Sequence, residues 1–127
     1  MSISQTPTPM THEPRTARAN APRLVLGFGF GGVSAAIETH CQSEGWATEV
    51  VRNSEEAGRS PASVVVLCSG TTGESAVLTA AKLQLSQPAT RVVIIGPEAL
   101  RRHTEFAGAT FLPRSAGVAE IVRVVLA

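Results

Sequence analysis

Three short runs are apolar at nearly every position: "RLVLGF" (Arg23 to Phe28), "SVVVLCS" (Ser63 to Ser69) and "RVVIIG" (Arg91 to Gly96). A strand with one wet face alternates apolar and polar residues. A strand that is apolar throughout must be covered on both faces, which is the signature of a parallel sheet. The β-branched content of the second and third runs favours strand over helix. All three stop at glycine or serine, so the chain turns where each strand ends.

Helical signals fill the gaps. "GVSAAIETHCQSEG" places Val33, Ile37 and Cys41 at i, i+4 and i+8, one helical face, with Gly45 as a cap. "ATEVVRN" reads as a short strand, and "SEEAGRSP" leaves room for only a turn or two of helix. The next helix is predicted to begin near Thr71. There Thr71-Thr72-Gly73-Glu74 fits a capping box, and Val77, Leu78, Ala81 and Leu85 line one face. Pro97 suits a first helical turn, and that helix ends at Gly108. "ATFLP" is a fifth strand, and Val118, Ile121, Val122 and Val125 stripe a last helix. Strict alternation of five strands and about five helices predicts an α/β protein with a five-stranded parallel sheet. Right-handed crossovers make it a doubly wound three-layer sandwich, flavodoxin-like, of strand order 2-1-3-4-5. In that order the ligand crevice lies at the carboxyl ends of strands 1 and 3, where "GFGFGG" and "CSGTTGES" fall.

The chain has 127 residues, enough for one domain. Residues 1–22 carry Pro7, Pro9, Pro14 and Pro22 and no apolar period, so they are expected to form a disordered N-terminal arm before a domain at 23–127. A formal charge of +1 gives no bulk attraction to nucleic acid. The N-terminus lacks an apolar signal core and no run approaches the ~18 residues of a membrane span, so a cytoplasmic protein is expected. Cys41 and Cys68 fit neither a disulfide framework nor a zinc spacing, and Cys41 reads as a core residue. His12, His40 and His103 are scattered, without a second ligand at metal spacing. All ten acidic residues are glutamate; aspartate is absent, and Lys82 is the single lysine against ten arginines.

The order of elements, with "EGWATEVVRNSEEA", "PATRVVII" and "AGATFLPRSAGVAEIVRVV", resembles the receiver domain of bacterial response regulators. The last stretch is most like receivers that precede a helix-turn-helix DNA-binding module. The resemblance spans roughly Arg23 to Ala127. Active receivers hold Mg²⁺ with an acidic pair just after strand 1; the matching place here is Phe28 and Gly29, give or take one residue. They phosphorylate an aspartate at the end of strand 3; here it is Cys68. They carry Ser or Thr at the end of strand 4 and Lys at the end of strand 5; here these are Gly96 and Arg114, with Pro113 at the margin. Mg²⁺ needs hard oxygen ligands and an acyl phosphate needs a carboxylate. The resemblance therefore implies a pseudo-receiver: a phosphorylation-independent interaction module, not an enzyme, with no cofactor and no metal.

The glycine-rich loops support an alternative. Gly27, Gly29 and Gly32 fit G-x-G-x-x-G between a strand and a helix, with Glu49 near the ribose-binding distance and Arg52-Asn53 at the end of strand 2. "SGTTGES" is similar to the phosphosugar loop of sugar isomerase domains at Ser69, Gly70, Thr72, Glu74 and Ser75. On this reading Gly29, Gly31, Gly32, Ser69, Gly70, Thr71 and Thr72 would cradle a nucleotide or sugar phosphate. In receivers the face made by helix 4, strand 5 and helix 5 forms dimers or meets the output domain. The resemblance thus points to Arg101, Arg102 and Arg123 as interface residues for a protein partner or homodimer. DNA would be reached only through a module outside this chain.

Overall fold

The structure, a computed structural model, describes residues 21–27, 31–59, 61–68 and 76–127. The described elements are β1 (Arg23–Leu26), α1 (Ser34–Ser43), β2 (Ala47–Val50), α2 (Ser54–Ala57), β3 (Val64–Cys68), α3 (Ala76–Ser86), β4 (Arg91–Gly96), α4 (Arg101–Phe106), β5 (Thr110–Pro113) and α5 (Val118–Leu126). Single 3-10 turns, Gly31–Val33 and Glu98–Leu100, lead into α1 and α4. The five strands form one parallel sheet of order β2-β1-β3-β4-β5, as the alternation predicts.

Side chains of the central strands alternate between two cores. Leu24, Leu26, Val64, Val66, Val93, Ile95 and Leu112 meet Ile37 and Cys41 of α1 and Ile121 and Val125 of α5. Val25, Val65, Leu67, Val92 and Ile94 meet Ala57 of α2 and Ala76, Ala80 and Leu83 of α3. Burial on both faces explains why the three runs contain almost no polar residue. The ladder reaches one residue before β1, where the Ala47 N–H donates to the Pro22 carbonyl at 2.9 Å. No helix among the described residues is long and apolar enough to cross a membrane.

The helix ends follow local chemistry. Gly45 and Gly108 have φ of +88° and +83°, the left-handed region that glycine enters without penalty. After each, an N–H closes a wide turn, Trp46 to the Cys41 carbonyl and Ala109 to the Thr104 carbonyl, both at 3.1 Å. Arg91, at the start of β4, donates to the carbonyls of Val124 (3.1 Å) and Val125 (2.7 Å) and so satisfies the open end of α5.

Three helix expectations are corrected. Val33 is 43 % exposed because it ends a 3-10 turn, so the buried stripe of α1 begins at Ile37. Pro97 stands before a 3-10 turn with ψ of 154°, an extended residue, so α4 is shorter than expected. The face predicted for α3 is only half right: Leu78 and Leu85 are 55 % and 87 % exposed, Val77 and Ala81 are half-buried with Val77 against the core, and Ala76, Thr79, Ala80 and Leu83 are the buried residues. This helix is apolar nearly all round, so periodicity does not choose its face. Small residues let it approach the sheet closely, and close packing chooses for it. Its expected start near Thr71 lies outside the described residues. Leu83→Ala should therefore cost about 2–5 kcal/mol in denaturant unfolding. Leu85→Gln should stay within about 0.5 kcal/mol of wild type. The opposite ranking would restore the sequence-based face.

Candidate functional site

The carboxyl ends of β1, β3, β4 and β5 lie along one edge of the sheet. They are set by the register Leu26↔Val66, Cys68↔Ile95 and Gly96↔Pro113. In a doubly wound sheet this edge is where chemistry is placed. Among the described residues the side chains offered there are a thiol at Cys68, hydrogen at Gly96 and the pyrrolidine of Pro113, followed by Arg114. None is a hard oxygen donor. Phe28, Gly29 and the loop positions Ser69, Gly70, Thr71 and Thr72, with Glu74 and Ser75, lie outside the described residues, as does His12. Of Gly31 only its backbone, in the 3-10 turn, is described.

Cys68 is half-buried and packs against the core shared by α1 and α5. Burial pushes its thiol up to about 11, with the positive charge of Arg114 pulling weakly the other way. Cys41 is fully buried, and burial followed by the charge of Glu44 raises its pKa too. A reactive cysteine needs its pKa lowered, so Cys68 is set up as a small packing residue rather than a nucleophile.

Gly27 follows β1 within one residue of the place where receivers keep their acidic pair. Its N–H donates to the Val66 carbonyl at 2.7 Å. A Cβ there would stand 2.4 Å from Leu67 Cδ2 and 3.2 Å from the Val66 carbonyl oxygen. The close contact with β3 thus requires glycine, and any larger side chain would have to displace a fully buried leucine. Gly32 differs: a Cβ there would meet nothing within 4 Å. In the dinucleotide fingerprint the third glycine permits close helix–strand packing, a constraint that Gly32 does not carry here.

The other nucleotide candidates have local structural partners. Glu49 pairs with Arg23. Asn53 caps α2, accepting from the Glu56 N–H at 2.9 Å. The Glu56 carboxylate in turn accepts from the Arg52 N–H at 2.9 Å and lies 3.9 Å from its guanidinium. Sequence reading missed this cap; Asn53 with Glu56 three residues on is the signal that gives it.

The predicted interface arginines separate. Arg101 pairs with Glu98 through two hydrogen bonds and lies over the Phe111 ring, 4.6 Å from its centroid. The pairing lowers the Glu98 pKa and raises that of Arg101. Arg123 is 3.7 Å from Glu120 and largely exposed. Arg102 is exposed and, among the described residues, forms no ion pair. Glu98, Arg101, Arg102 and Glu105 line a shallow hollow of about 420 Å³.

No protein-family model matches the sequence, and comparison with curated proteins found no relative. Solved structures do match in fold. A beryllofluoride-activated DrrB receiver domain is 12 % identical with a TM-score of 0.73, over 84 % of this chain and 95 % of that one. A LuxR-family two-component response regulator from Aurantimonas sp. SI85-9A1 is 19 % identical with a TM-score of 0.70, over 84 % and 83 %. A Burkholderia pseudomallei response regulator with a phosphorylated aspartic acid, a calcium ion and citrate is 16 % identical with a TM-score of 0.69, over 80 % and 64 %. The chain has the fold of response-regulator receiver domains.

Both thiols keep their protons in the folded state at pH values where the unfolded chain releases them. Their contribution to stability is complete below about pH 8.5, the ordinary cysteine value, and is lost as pH climbs toward the folded values. Peptide mapping after iodoacetamide treatment should show Cys68 reacting more than about tenfold slower than a free thiol at pH 7.5, with the rate rising up to pH 11. Fast labelling with an apparent pKa near 8 would contradict the buried, neutral thiol.

Proposed function

We propose that this chain is a pseudo-receiver: a regulatory protein-interaction module that keeps the receiver scaffold and works without phosphorylation. The observation that carries the reading is Cys68. It ends β3, the place that the receiver resemblance gives to a phospho-accepting aspartate, and it is a half-buried thiol held neutral; one neighbour in fold is a response regulator with a phosphorylated aspartic acid. The whole chain contains no aspartate. At the described strand ends an acyl phosphate has no carboxylate to form on, and no side chain there is an oxygen ligand for the divalent ion that phosphoryl transfer requires. Those residues do not fit Mg²⁺. The tight Gly27 contact closes one approach by which an acidic side chain could return.

With no chemistry of its own, the module acts by contact. The surface built on α4, β5 and α5 offers Arg102 as an uncompensated charge and Arg123 as a loosely held one. Arg101, locked between Glu98 and Phe111, shapes the surface rather than reaching out of it. A second copy or an acidic protein partner fits this face. Because one fold neighbour is a LuxR-family regulator, the reading extends to transcriptional control in the cytoplasm, with DNA contacted through a separate helix-turn-helix module. The nucleotide reading is weaker, since Gly32 is unconstrained and Glu49, Arg52 and Asn53 serve local structure.

Beryllofluoride with Mg²⁺ should leave the thermal midpoint unchanged; a rise of several degrees would overturn the reading. NADP and glucose 6-phosphate should be equally silent, and a shift with either would favour the ligand-binding alternative. Arg102→Glu should weaken self-association or partner capture in sizing experiments, and unchanged association would remove this face from the proposal.

A further inference from the structure

Besides the strand-end crevice, the flank of the sheet carries a cleft of about 300 Å³ between α2 and α3. Its origin is the brevity of α2, four residues ending before Gly58, which leaves the side of α3 uncovered. Glu55 and Gly58 form one wall; Thr79, Lys82, Leu83 and Ser86 form the other. Leu83 and Thr79 are 3 % and 5 % exposed and make its floor. At its foot the Gln87 amide donates to the Gly58 carbonyl at 3.2 Å, tying the end of α3 to the end of α2.

The two charges of this cleft are opposite and unengaged. In α2, Glu56 is held by the cap with Asn53 and Arg52, whereas Glu55 is not. Lys82 is the single lysine of the chain. Among the described residues neither Glu55 nor Lys82 forms an ion pair, with each other or with a third group. Among the described residues Glu49, Glu56, Glu98 and Glu120 pair with arginine, while Glu44 and Glu105, like Glu55, do not.

We infer that the cleft between α2 and α3 binds a small zwitterion of amino-acid size, its ammonium toward Glu55, its carboxylate toward Lys82 and its side chain over Leu83. The volume sits at the small end of ligand pockets and excludes a dinucleotide. A net anion would meet Glu55, and a net cation would meet Lys82. Only a ligand carrying both charges satisfies both walls, and such pairs gain strength as the ligand displaces water from the cleft. The inference goes beyond the pseudo-receiver reading and does not depend on it; for that module, a small ligand would be an input that needs no phosphate.

The test is thermal shift and titration of the full chain with glycine, alanine, leucine and glutamine. Acetate and n-butylamine serve as single-charge controls. At least one amino acid should raise the midpoint by several degrees at millimolar concentration, and neither control should. Glu55→Gln and Lys82→Gln lie on the exposed rim. Each should keep the ligand-free midpoint and weaken binding at least tenfold, an expectation of about 1.4 kcal/mol per charge lost. Amide shifts on titration should centre on Gly58 and Leu83. No response to any amino acid, an equal response to acetate or butylamine, or binding untouched by both variants would overturn the inference. None of these outcomes bears on the beryllofluoride experiment, so the two readings fail separately.

Discussion

Burial of β1, β3 and β4 on both faces is the constraint from which the rest of this molecule follows. Their side chains alternate between two cores, one roofed by α1 and α5 and the other by α2 and α3. A parallel sheet in this state cannot expose a face, so every strand must return through a helix, and the observed order is β2-β1-β3-β4-β5. The hydrophobic pattern that demands this leaves freedom only at the strand ends. That is where the chain departs from an oxygen-rich receiver pocket.

At those ends the departure is consistent with the packing beside it. A cluster of carboxylates forces like charges together and needs a metal to relieve them. Here Gly27, Cys68 and Gly96 bring no charge, so the apolar core can run to the edge of the sheet. The thiol of Cys68 belongs to that core in energetic terms: burial keeps it neutral, and the nearby Arg114 is too solvated to reverse this. Among the described residues, the strand ends are coherent as the tip of a core.

Sheet order, the glycine ends of α1 and α4 and both apolar cores were legible in the sequence because each rests on a strong local signal. Buried strands lack polar residues, Gly45 and Gly108 mark chain reversals, and the stripe of α5 is well separated from its polar face. The face of α3 was not legible. Ala76, Val77, Leu78, Ala80, Ala81, Leu83 and Leu85 surround the axis, and the decision lies in how closely the helix approaches the sheet, which periodicity does not report. The partners of Arg52, Asn53 and Glu49 were also hidden, because a residue suited to a phosphate or a ribose suits a helix cap or a cross-strand pair equally well. Departures at Phe28, Cys68 and Gly96 could be read from residue identity alone; the physical state of the thiol and the contact that fixes Gly27 required coordinates.

On the pseudo-receiver proposal, a receiver scaffold that works without phosphate chemistry is useful for its surfaces. Among the described residues, Arg102 on the α4–β5–α5 face forms no ion pair, and the α2–α3 flank carries an open cleft whose Glu55 and Lys82 form none. Either can change occupancy without covalent chemistry. The central claim is that the strand-end pocket no longer holds a divalent ion, and a Mg²⁺ titration followed by amide NMR tests it most directly. The account predicts no change at Gly27, Cys68, Gly96 or Arg114 up to tens of millimolar Mg²⁺. Saturable shifts at these residues would contradict it.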